Sequence, residues 1–164
     1  MIDTAPQAGN TLVLIGRTEG HLGQSVLLKE IWNREDGDAP HVDLEAERAA
    51  GEFVCHQQVK GQITAAHDLS DGGLAVAAAE MALAGNCGIS LKGEGTGWWF
   101  GEDQGRYLLA TADAEPVLRD AQKTGVAAQV VGWVEGDALK LGDATVSLDA
   151  LRAAHDGALP GLMN

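Results

Sequence analysis

The stretch 63–75, ITAAHDLSDGGLA, places two acidic residues and two glycines within the six residues 68–73. An apolar, strand-like start leads through a polar glycine turn into an alanine-rich, helix-like end, which is the layout of a phosphate-binding corner. Two of its carboxylates are three residues apart and would repel a bare anion, so they suit Mg²⁺ better. The stretch therefore predicts a corner that binds a nucleotide together with its cation. The candidate nucleotide-binding residues are Asp68, Ser70, Asp71, Gly72 and Gly73, and the candidate metal ligands are Asp68 and Asp71.

Turn chemistry offers a simpler explanation of the same corner. Ser70 or Asp71 can cap the N-terminus of the following helix with its side chain, while Gly72 and Gly73 make a tight turn. The density of acidic residues favours a ligand site. The residues alone leave both explanations open.

A second candidate is the loop 100–106, FGEDQGR, just ahead of a predicted strand. Glu102 could bind a ligand hydroxyl or a metal, and Arg106 could bind a nucleotide phosphate with its planar guanidinium. A surface salt bridge between Glu102 and Arg106, which would contribute little stability, explains the same spacing equally well.

A third candidate is the polar loop 20–25, GHLGQS, which follows an apolar, strand-like run. Gly23 and Ser25 could hold a phosphate through backbone N–H groups at the start of a helix. Ser25 as an ordinary helix N-cap is the stronger alternative. His21 has no carboxylate partner at a fixed spacing, so the sequence assigns it no acid or base role.

Composition limits the partners of the chain. Its 164 residues include 11 basic and 24 acidic side chains, a formal net charge of −13, which repels nucleic acid backbones and anionic membrane surfaces. Neither a membrane-spanning apolar run nor a signal peptide is recognisable, so we expect a cytoplasmic protein with no nucleic-acid or membrane partner. Cys55 and Cys87 have no metal-binding spacing, and we expect both to be reduced core thiols.

Apolar patterns and glycine or proline breaks predict alternating strands and helices. We expect a leading segment over residues 1–10 and a single domain over residues 11–164. A late hairpin over 138–147 excludes a strictly parallel sheet, so the predicted fold class is α+β, a mixed β-sheet flanked by helices. The apolar strand Thr11–Ile15 and the alanine-rich helix over 74–84 are both predicted to be buried.

Four motifs occur in order along the chain: 20–25 (GHLGQS), 67–75 with 79–82 (HDLSDGGLA and AEMA), 100–106 (FGEDQGR) and 154–157 (AHDG). Together they resemble phosphoribosylformylglycinamidine synthase. The chain is similar to the last domain of that enzyme family, a C-terminal domain of the superfamily shared with aminoimidazole ribonucleotide synthetase. The resemblance runs from about Thr11 to the end of the chain and implies the fold of that domain.

The resemblance implies an ATP-dependent amidotransfer in purine biosynthesis, in which ammonia from glutamine replaces the phosphorylated amide oxygen of formylglycinamide ribonucleotide. ATP and Mg²⁺ are the implied cofactors. The implied partners are the N-terminal domains of the same enzyme and a glutaminase subunit or domain. Because the family's catalytic histidine and main nucleotide and metal contacts lie largely in those N-terminal domains, the isolated chain should be an inactive fragment. Its implied contribution is the edge of a shared site, formed by Asp68, Asp71, Glu102 and Arg106.

Two alternatives remain. Selenophosphate synthetase, thiamine-phosphate kinase and a hydrogenase maturation protein are built on related domains, although the 20–25 and 102–104 motifs argue against them. The chain could instead be a non-catalytic structural or interaction module. In either case a missing neighbour would bare the strand Thr11–Ile15 and the alanine-rich helix, so we expect weak self-association, with a homodimer as one form.

Overall fold

The computed structural model describes the backbone of residues 3–162 and the side chains of residues 3–157. Within that range seven strands form one sheet, in the spatial order β2-β4-β1-β5-β3-β6-β7. The strands are β1 Thr11–Ile15, β2 Ala65–Asp68, β3 Ile89–Leu91, β4 Tyr107–Thr111, β5 Ala128–Val134, β6 Ala138–Leu141 and β7 Ala144–Ser147. Neighbouring strands are antiparallel except β3 and β6, which run parallel. The predicted mixed sheet is confirmed.

Helices connect these strands. They are α1 Leu44–Val59, α2 Gly73–Gly85, α3 Thr96–Phe100, α4 Ala114–Thr124 and α5 Leu148–Leu162, with a π-helical segment at Leu27–Ile31. Asp43 begins α1 by accepting hydrogen bonds from the N–H groups of Glu45 and Ala46, as expected for an aspartate ahead of a helix. Across residues 3–162 the helices are too short or too polar for any of them to span a membrane.

The apolar strand β1 is buried on both faces of the sheet. Leu12 and Leu14 pack into one core cluster with α2, and Val13 and Ile15 pack into a second cluster with α1 and α4. A strand with hydrophobic neighbours on both faces needs no polar alternation. The predicted burial of β1 is confirmed, and so is that of the alanine-rich helix, whose Ala78 and Met81 are fully buried. The expectation that these elements lie bare in the isolated chain is therefore wrong.

Hydrogen bonds join the leading residues to the sheet. The Asp3 carbonyl accepts the Ala66 N–H at 2.9 Å, and the Gly9 N–H donates to the Val134 carbonyl at 2.8 Å. These bonds attach the segment both to the edge strand β2 and to the central strand β5. The boundary at residue 11 between a leading segment and a domain stays a prediction.

Two segments differ from the sequence expectation. The glycine-rich pattern around Trp98 and Trp99 predicts a loop, but these residues lie in the short helix α3, and both indoles pack against the core cluster beside α2. The apolar spacing over 25–32 predicts an α-helix. Instead, the Trp32 N–H donates to the Leu27 carbonyl five residues back, at 3.3 Å, which is the hydrogen-bond spacing of a π-helix.

The two cysteines differ in exposure, which permits a chemical test. Cys55 is exposed on α1, so the expectation that it is a core thiol is wrong, whereas Cys87 is half-buried. Burial raises the pKa of the Cys87 thiol and so lowers its thiolate fraction at neutral pH. We expect a disulfide reagent to modify Cys55 first and Cys87 about tenfold more slowly. Equal rates in Cys55→Ser and Cys87→Ser variants would contradict this expectation.

Candidate functional site

Three loops meet at the N-terminus of α2. They are the loop after β1 (17–26), the loop between β2 and α2 (69–72) and the loop between α3 and β4 (101–106). Backbone hydrogen bonds join them: the Leu69 N–H donates to the Arg106 carbonyl, and the Glu102 N–H donates to the His21 carbonyl, both at 2.9 Å. The fold thus brings together three segments that are far apart in the sequence and that each contain candidate site residues.

The turn into α2 depends on two glycines with left-handed backbone. Gly72, at φ 77°, is the N-cap of α2, and Gly73 follows at φ 62°. A Cβ on Gly73 would overlap the Gly101 carbonyl oxygen, so the neighbouring loop can approach only because position 73 has no side chain. No side chain caps α2, so the helix-cap explanation of Ser70 and Asp71 is wrong.

The carboxylate of Glu102 lies where a cap would be. Its Oε1 accepts the Gly72 N–H at 2.8 Å and the Val26 N–H at 2.9 Å. Backbone N–H groups at the start of a helical segment attract anions because their dipoles point outward with the positive end first. One carboxylate oxygen therefore satisfies two such donors and ties the 17–26 loop to the turn before α2.

Ser25 and Gly23 have internal contacts in the 17–26 loop. Ser25 is fully buried, and its Oγ accepts the Leu28 N–H at 3.3 Å, which is the capping geometry of the alternative explanation. A Cβ on Gly23 would overlap the Asp38 carbonyl oxygen, so that glycine permits close packing of two loops. Phosphate binding by these two residues stays a prediction.

Asp103 fills a second anion position. Its carboxylate accepts three successive backbone N–H groups, those of Glu19 at 3.3 Å, Gly20 at 3.1 Å and His21 at 3.2 Å. Successive N–H groups that converge in this way form a small anion-binding concavity. Asp103 is nearly buried, so this anion belongs to the structure of the loop.

Arg106 lies beneath these loops with a fully buried side chain. Its Nε donates to the Asp103 carbonyl at 3.1 Å, Nη1 donates to Thr18 Oγ1 at 3.1 Å, and Nη2 donates to the Gly101 carbonyl. Burial lowers the pKa of Arg106, and the Asp103 carboxylate opposes this shift. The explanation of this spacing by a surface salt bridge between Arg106 and Glu102 is wrong. Arg106 is only 1% exposed, and its acidic neighbour is Asp103, with a distance of 3.7 Å from Nη1 to Oδ2.

The candidate metal ligands lie at the rim. The Asp68 side chain, at the end of β2, is 67% exposed, and Asp71 is exposed on the following turn. In the part of the chain that the structure describes, no group of three or more His, Cys, Asp and Glu side chains is arranged to hold a metal ion. Mg²⁺ usually keeps several waters and takes one or two carboxylates plus ligand phosphates, so the oxygen donors present fit that role. The assignment stays a prediction.

The backbone N–H groups of the site are already hydrogen-bonded within the chain, and this limits the ligands that the site can bind. The chain's own carboxylates occupy the five N–H groups described above, so a bare phosphate would compete with Glu102 and Asp103. The exposed candidate residues between the end of β2 and the start of α2 are acidic or neutral: Asp68, Ser70 and Asp71. This arrangement favours a cation, or a phosphate that arrives with its cation.

A family model described as AIR synthase related protein, C-terminal domain, matches residues 7–143. The chain belongs to this family. The match begins inside the leading segment and covers six of the seven strands, β1 to β6. It ends one residue before β7. The three loops of the site therefore lie inside the family domain.

Relatives extend this comparison. The phosphoribosylformylglycinamidine synthase subunit PurL of Caulobacter vibrioides is 50% identical over 161 residues, which cover 95% of this chain and 22% of that protein. PurL of T. maritima complexed with FGAR superposes with a TM-score of 0.78 at 21% identity, over 92% of this chain and 29% of that one. HypE of E. coli superposes with a TM-score of 0.61 at 20% identity, over 90% and 51%. The chain spans about a fifth of the length of its curated relatives.

This AIR synthase related domain also contains a cavity that is lined partly by the 100–106 motif and partly by residues outside all four motifs. The cavity has a volume of about 450 Å³ and lies between the 17–21 loop, α1 and residues 125–127 ahead of β5. Arg17 and Gln104 line it together with His41 and Glu47. Arg17 directly follows Gly16, the first residue after β1, and that position after a buried strand is the signal that could have identified it.

Replacing Glu102 tests whether its carboxylate joins two loops of the domain. We expect Glu102→Ala to lower the free energy of unfolding by about 1–3 kcal/mol, because two N–H groups lose a charged acceptor. Amide hydrogen exchange at Val26 and Gly72 should accelerate. Glu102→Gln retains an oxygen and should cost less. Glu52→Ala, which removes only an exposed pair with Arg48, is the control, and an equal effect of the two alanine variants would refute the role.

Proposed function

We propose that this chain is one domain of a phosphoribosylformylglycinamidine synthase, whose complete form converts formylglycinamide ribonucleotide to formylglycinamidine ribonucleotide. The observation that carries the proposal is the 50% identity to a PurL subunit over 95% of the chain. Solved structures named as PurL complexed with FGAR and with ATP support the proposed substrate and nucleotide. HypE and thiamine-monophosphate kinase share the fold with lower TM-scores. The 50% sequence identity to the PurL subunit favours the synthase over these two proteins.

The proposed reaction balances as one phosphoryl transfer and one substitution. The amide oxygen of the substrate accepts the γ-phosphoryl group of ATP. The remaining nucleotide leaves as ADP. Ammonia then adds to the amide carbon, the carbon–oxygen bond breaks and phosphate departs, and the new C–N bond yields the amidine while two ammonia protons leave, one with phosphate and one to solvent. Such a reaction needs donors from several domains held in fixed geometry. Since this chain spans 22% of its relative, we propose that it is inactive alone.

Within that reaction we propose that the rim of the three-loop site forms one edge of a nucleotide site. Asp68 and Asp71 would hold Mg²⁺, which when bound supplies charge neutralisation for the nucleotide phosphates. Glu102 and Arg106 would contribute by fixing the loops, since Glu102 accepts the Gly72 N–H and Arg106 is buried. Ser70 is exposed on the same turn and could donate to a phosphate oxygen. Gly23 and Ser25 would line the neighbouring loop.

Partners and location follow from the same proposal. We propose that the ammonia comes from a glutaminase subunit or domain and that the enzyme acts in the cytoplasm. A solved structure named PurLQS from Thermotoga maritima supports an assembly that contains PurL. The other domains of the synthase would be the nearest partners of this chain.

A second candidate function is a structural domain with no nucleotide of its own. The internal carboxylates favour it, because Glu102 and Asp103 already accept the N–H groups that would otherwise bind phosphate. In that case the domain would support a site elsewhere in the synthase. The two candidates differ in whether the isolated chain binds Mg²⁺-nucleotide.

A chimera tests the synthase proposal. This chain would replace its matching fifth in the Caulobacter vibrioides PurL subunit, and product formation would be measured with ATP, formylglycinamide ribonucleotide and an ammonium salt. We expect the chimera to form the amidine at a rate near that of the parent, because half of the exchanged residues are identical. A chimera that folds but forms no product would contradict the proposed function.

Calorimetry separates the two candidate roles of the domain. Mg²⁺-ADP and Mg²⁺-ATP would be titrated into the 164-residue chain, its Asp71→Ala variant and an Asp137→Ala control, since Asp137 is exposed in the turn between β5 and β6. Micromolar binding that only Asp71→Ala loses would support a nucleotide site in this domain. No heat at millimolar nucleotide would support the structural role.

A further inference from the structure

Exposed apolar side chains are concentrated in residues 26–44, which we call the 26–44 segment. It contains the π-helical segment, a connecting loop and the start of α1. Ile31 is 70% exposed and Leu44 75% exposed, and three more large apolar side chains of this segment are also exposed. The complete set is Val26, Ile31, Trp32, Val42 and Leu44. Such a concentration on a surface otherwise rich in acid marks an interaction site.

Hydrogen bonds hold this segment in place, so its exposure is a property of a fixed surface. The Gln24 N–H and Nε2 donate to the carbonyls of Asp36 and Gly37, at 3.2 and 2.9 Å. The Arg34 N–H donates to the Leu28 carbonyl at 2.9 Å. Packing within the chain therefore fixes the backbone without covering the apolar side chains.

We propose that the 26–44 segment docks against another domain of the same longer polypeptide. The inference rests on the proposed function, in which this chain is one domain of a synthase. More than three quarters of the Caulobacter vibrioides PurL subunit lies outside the part that this chain matches. Sequence of that kind supplies the partner. The strand and helix that the sequence suggested as a bare face are covered within the chain itself, so they do not compete as the docking surface.

Charge argues for a different domain as the occupant and against a second copy of this chain. The formal net charge of the chain is −13, so two copies repel each other. The 26–44 segment has five acidic and two basic residues, and of these Arg34 is already paired with Asp36. The complementary surface is therefore apolar at its centre with lysine or arginine at its rim.

The docked segment would be coupled to the candidate site through a single side chain. The Val26 N–H, at the start of the segment, donates to Glu102 Oε1, which also accepts the Gly72 N–H. A partner that fixes the 26–44 segment thereby fixes the turn that contains the rim carboxylates. This coupling assigns the segment a role in completing the site.

Hydroxyl-radical footprinting tests the docking proposal. Labelling of Trp32 and Leu44 would be compared between the 164-residue chain and the full-length polypeptide. We expect labelling to fall about fivefold or more in the full-length polypeptide, because an interface core excludes solvent. Val59, 84% exposed at the other end of α1, is the internal control and should keep its labelling. Unchanged labelling of Trp32 and Leu44 would overturn the proposal.

Two further results keep the test decisive. Protection that appears in the 164-residue chain alone as its concentration rises, with a dimer mass by sedimentation, would overturn the proposal in favour of a second copy. Ile31→Glu should leave the Tm of the isolated chain unchanged and lower that of the full-length polypeptide, whereas Val59→Glu should change neither. An active chimera with an unprotected segment would refute the docking alone, and a protected segment in an inactive full-length protein would refute the function alone.

Discussion

Arg106→Met is expected to lower the free energy of unfolding of the chain by about 3–5 kcal/mol, since it breaks a buried charged network. The methionine fills similar space but donates no hydrogen bond. The carbonyls of Gly101 and Asp103 then lose a buried donor, and a buried acceptor without a donor is costly. The half-exposed Thr18 hydroxyl loses its bond as well. Urea unfolding followed by circular dichroism measures this loss.

The exposed Arg119 provides the control for this prediction. Arg119 donates to Glu115 at 2.7 Å on the exposed side of α4, and pairs of this kind contribute about 0–1 kcal/mol. Arg119→Met should therefore unfold close to the parent. Arg106→Lys keeps the charge but cannot reproduce the three-way fork, so it should lie between the parent and Arg106→Met. If Arg106→Met unfolds like Arg119→Met, the buried network contributes no stability.

Gly73→Ala is expected to cost about 3 kcal/mol or more, because it combines left-handed backbone strain with steric overlap. The new Cβ would overlap the Gly101 carbonyl oxygen and approach the Phe100 carbonyl carbon. The 101–106 loop would have to move away, which would also lengthen the bond from the Gly72 N–H to Glu102. Thermal unfolding measures the loss of stability, and faster exchange of the Gly72 amide reports the loop movement.

Gly61→Ala separates the two causes. Gly61 has a similar φ of 67°, but a Cβ built there meets nothing within 4 Å. Its cost should be the backbone strain alone, about 1–2 kcal/mol. The difference between the two variants is then the energy of overlap with the 101–106 loop. Equal costs would show that this loop yields freely and does not constrain the corner.

The sequence predicts the elements of the fold well where a local pattern defines them. The apolar run of β1, the alanine-rich helix α2 and the late hairpin all form as expected, because length and hydrophobic spacing decide such elements. Asp43 caps α1 for the same local reason. The mixed sheet follows from these elements without knowledge of their pairing.

The interactions at the site could not be derived in the same way. Glu102 suggests a ligand-facing acid, yet its oxygen accepts N–H groups from Val26 and Gly72, which are distant in sequence and adjacent only in the folded chain. Arg106 suggests a phosphate ligand because arginine is usually exposed, but tertiary packing buries it. A pattern that identifies an anion-binding backbone does not reveal which anion fills it.

The exposed apolar surface of the 26–44 segment could not be predicted from a local sequence pattern either. Apolar residues at Ile31 and Leu44 suggest core positions by type, and only the packed structure shows that the described residues leave most of each side chain exposed. Conversely, β1 and α2 are covered from within the chain. Which apolar face lies outward depends on the arrangement of the whole sheet.

The pairing of β1 determines when the domain can fold during synthesis. Ile15 lies opposite Tyr107 of β4 on one side and Ala128 of β5 on the other, so β1 has no partner until β4 has been made and gains its second only with β5. Non-local pairing of this kind is slow, and the apolar β1 stays without a strand partner while the residues between it and β4 are synthesised. A chain that stops before Ala128 would lack β5 and leave one edge of β1 unpaired, and an open hydrophobic edge is a template for aggregation.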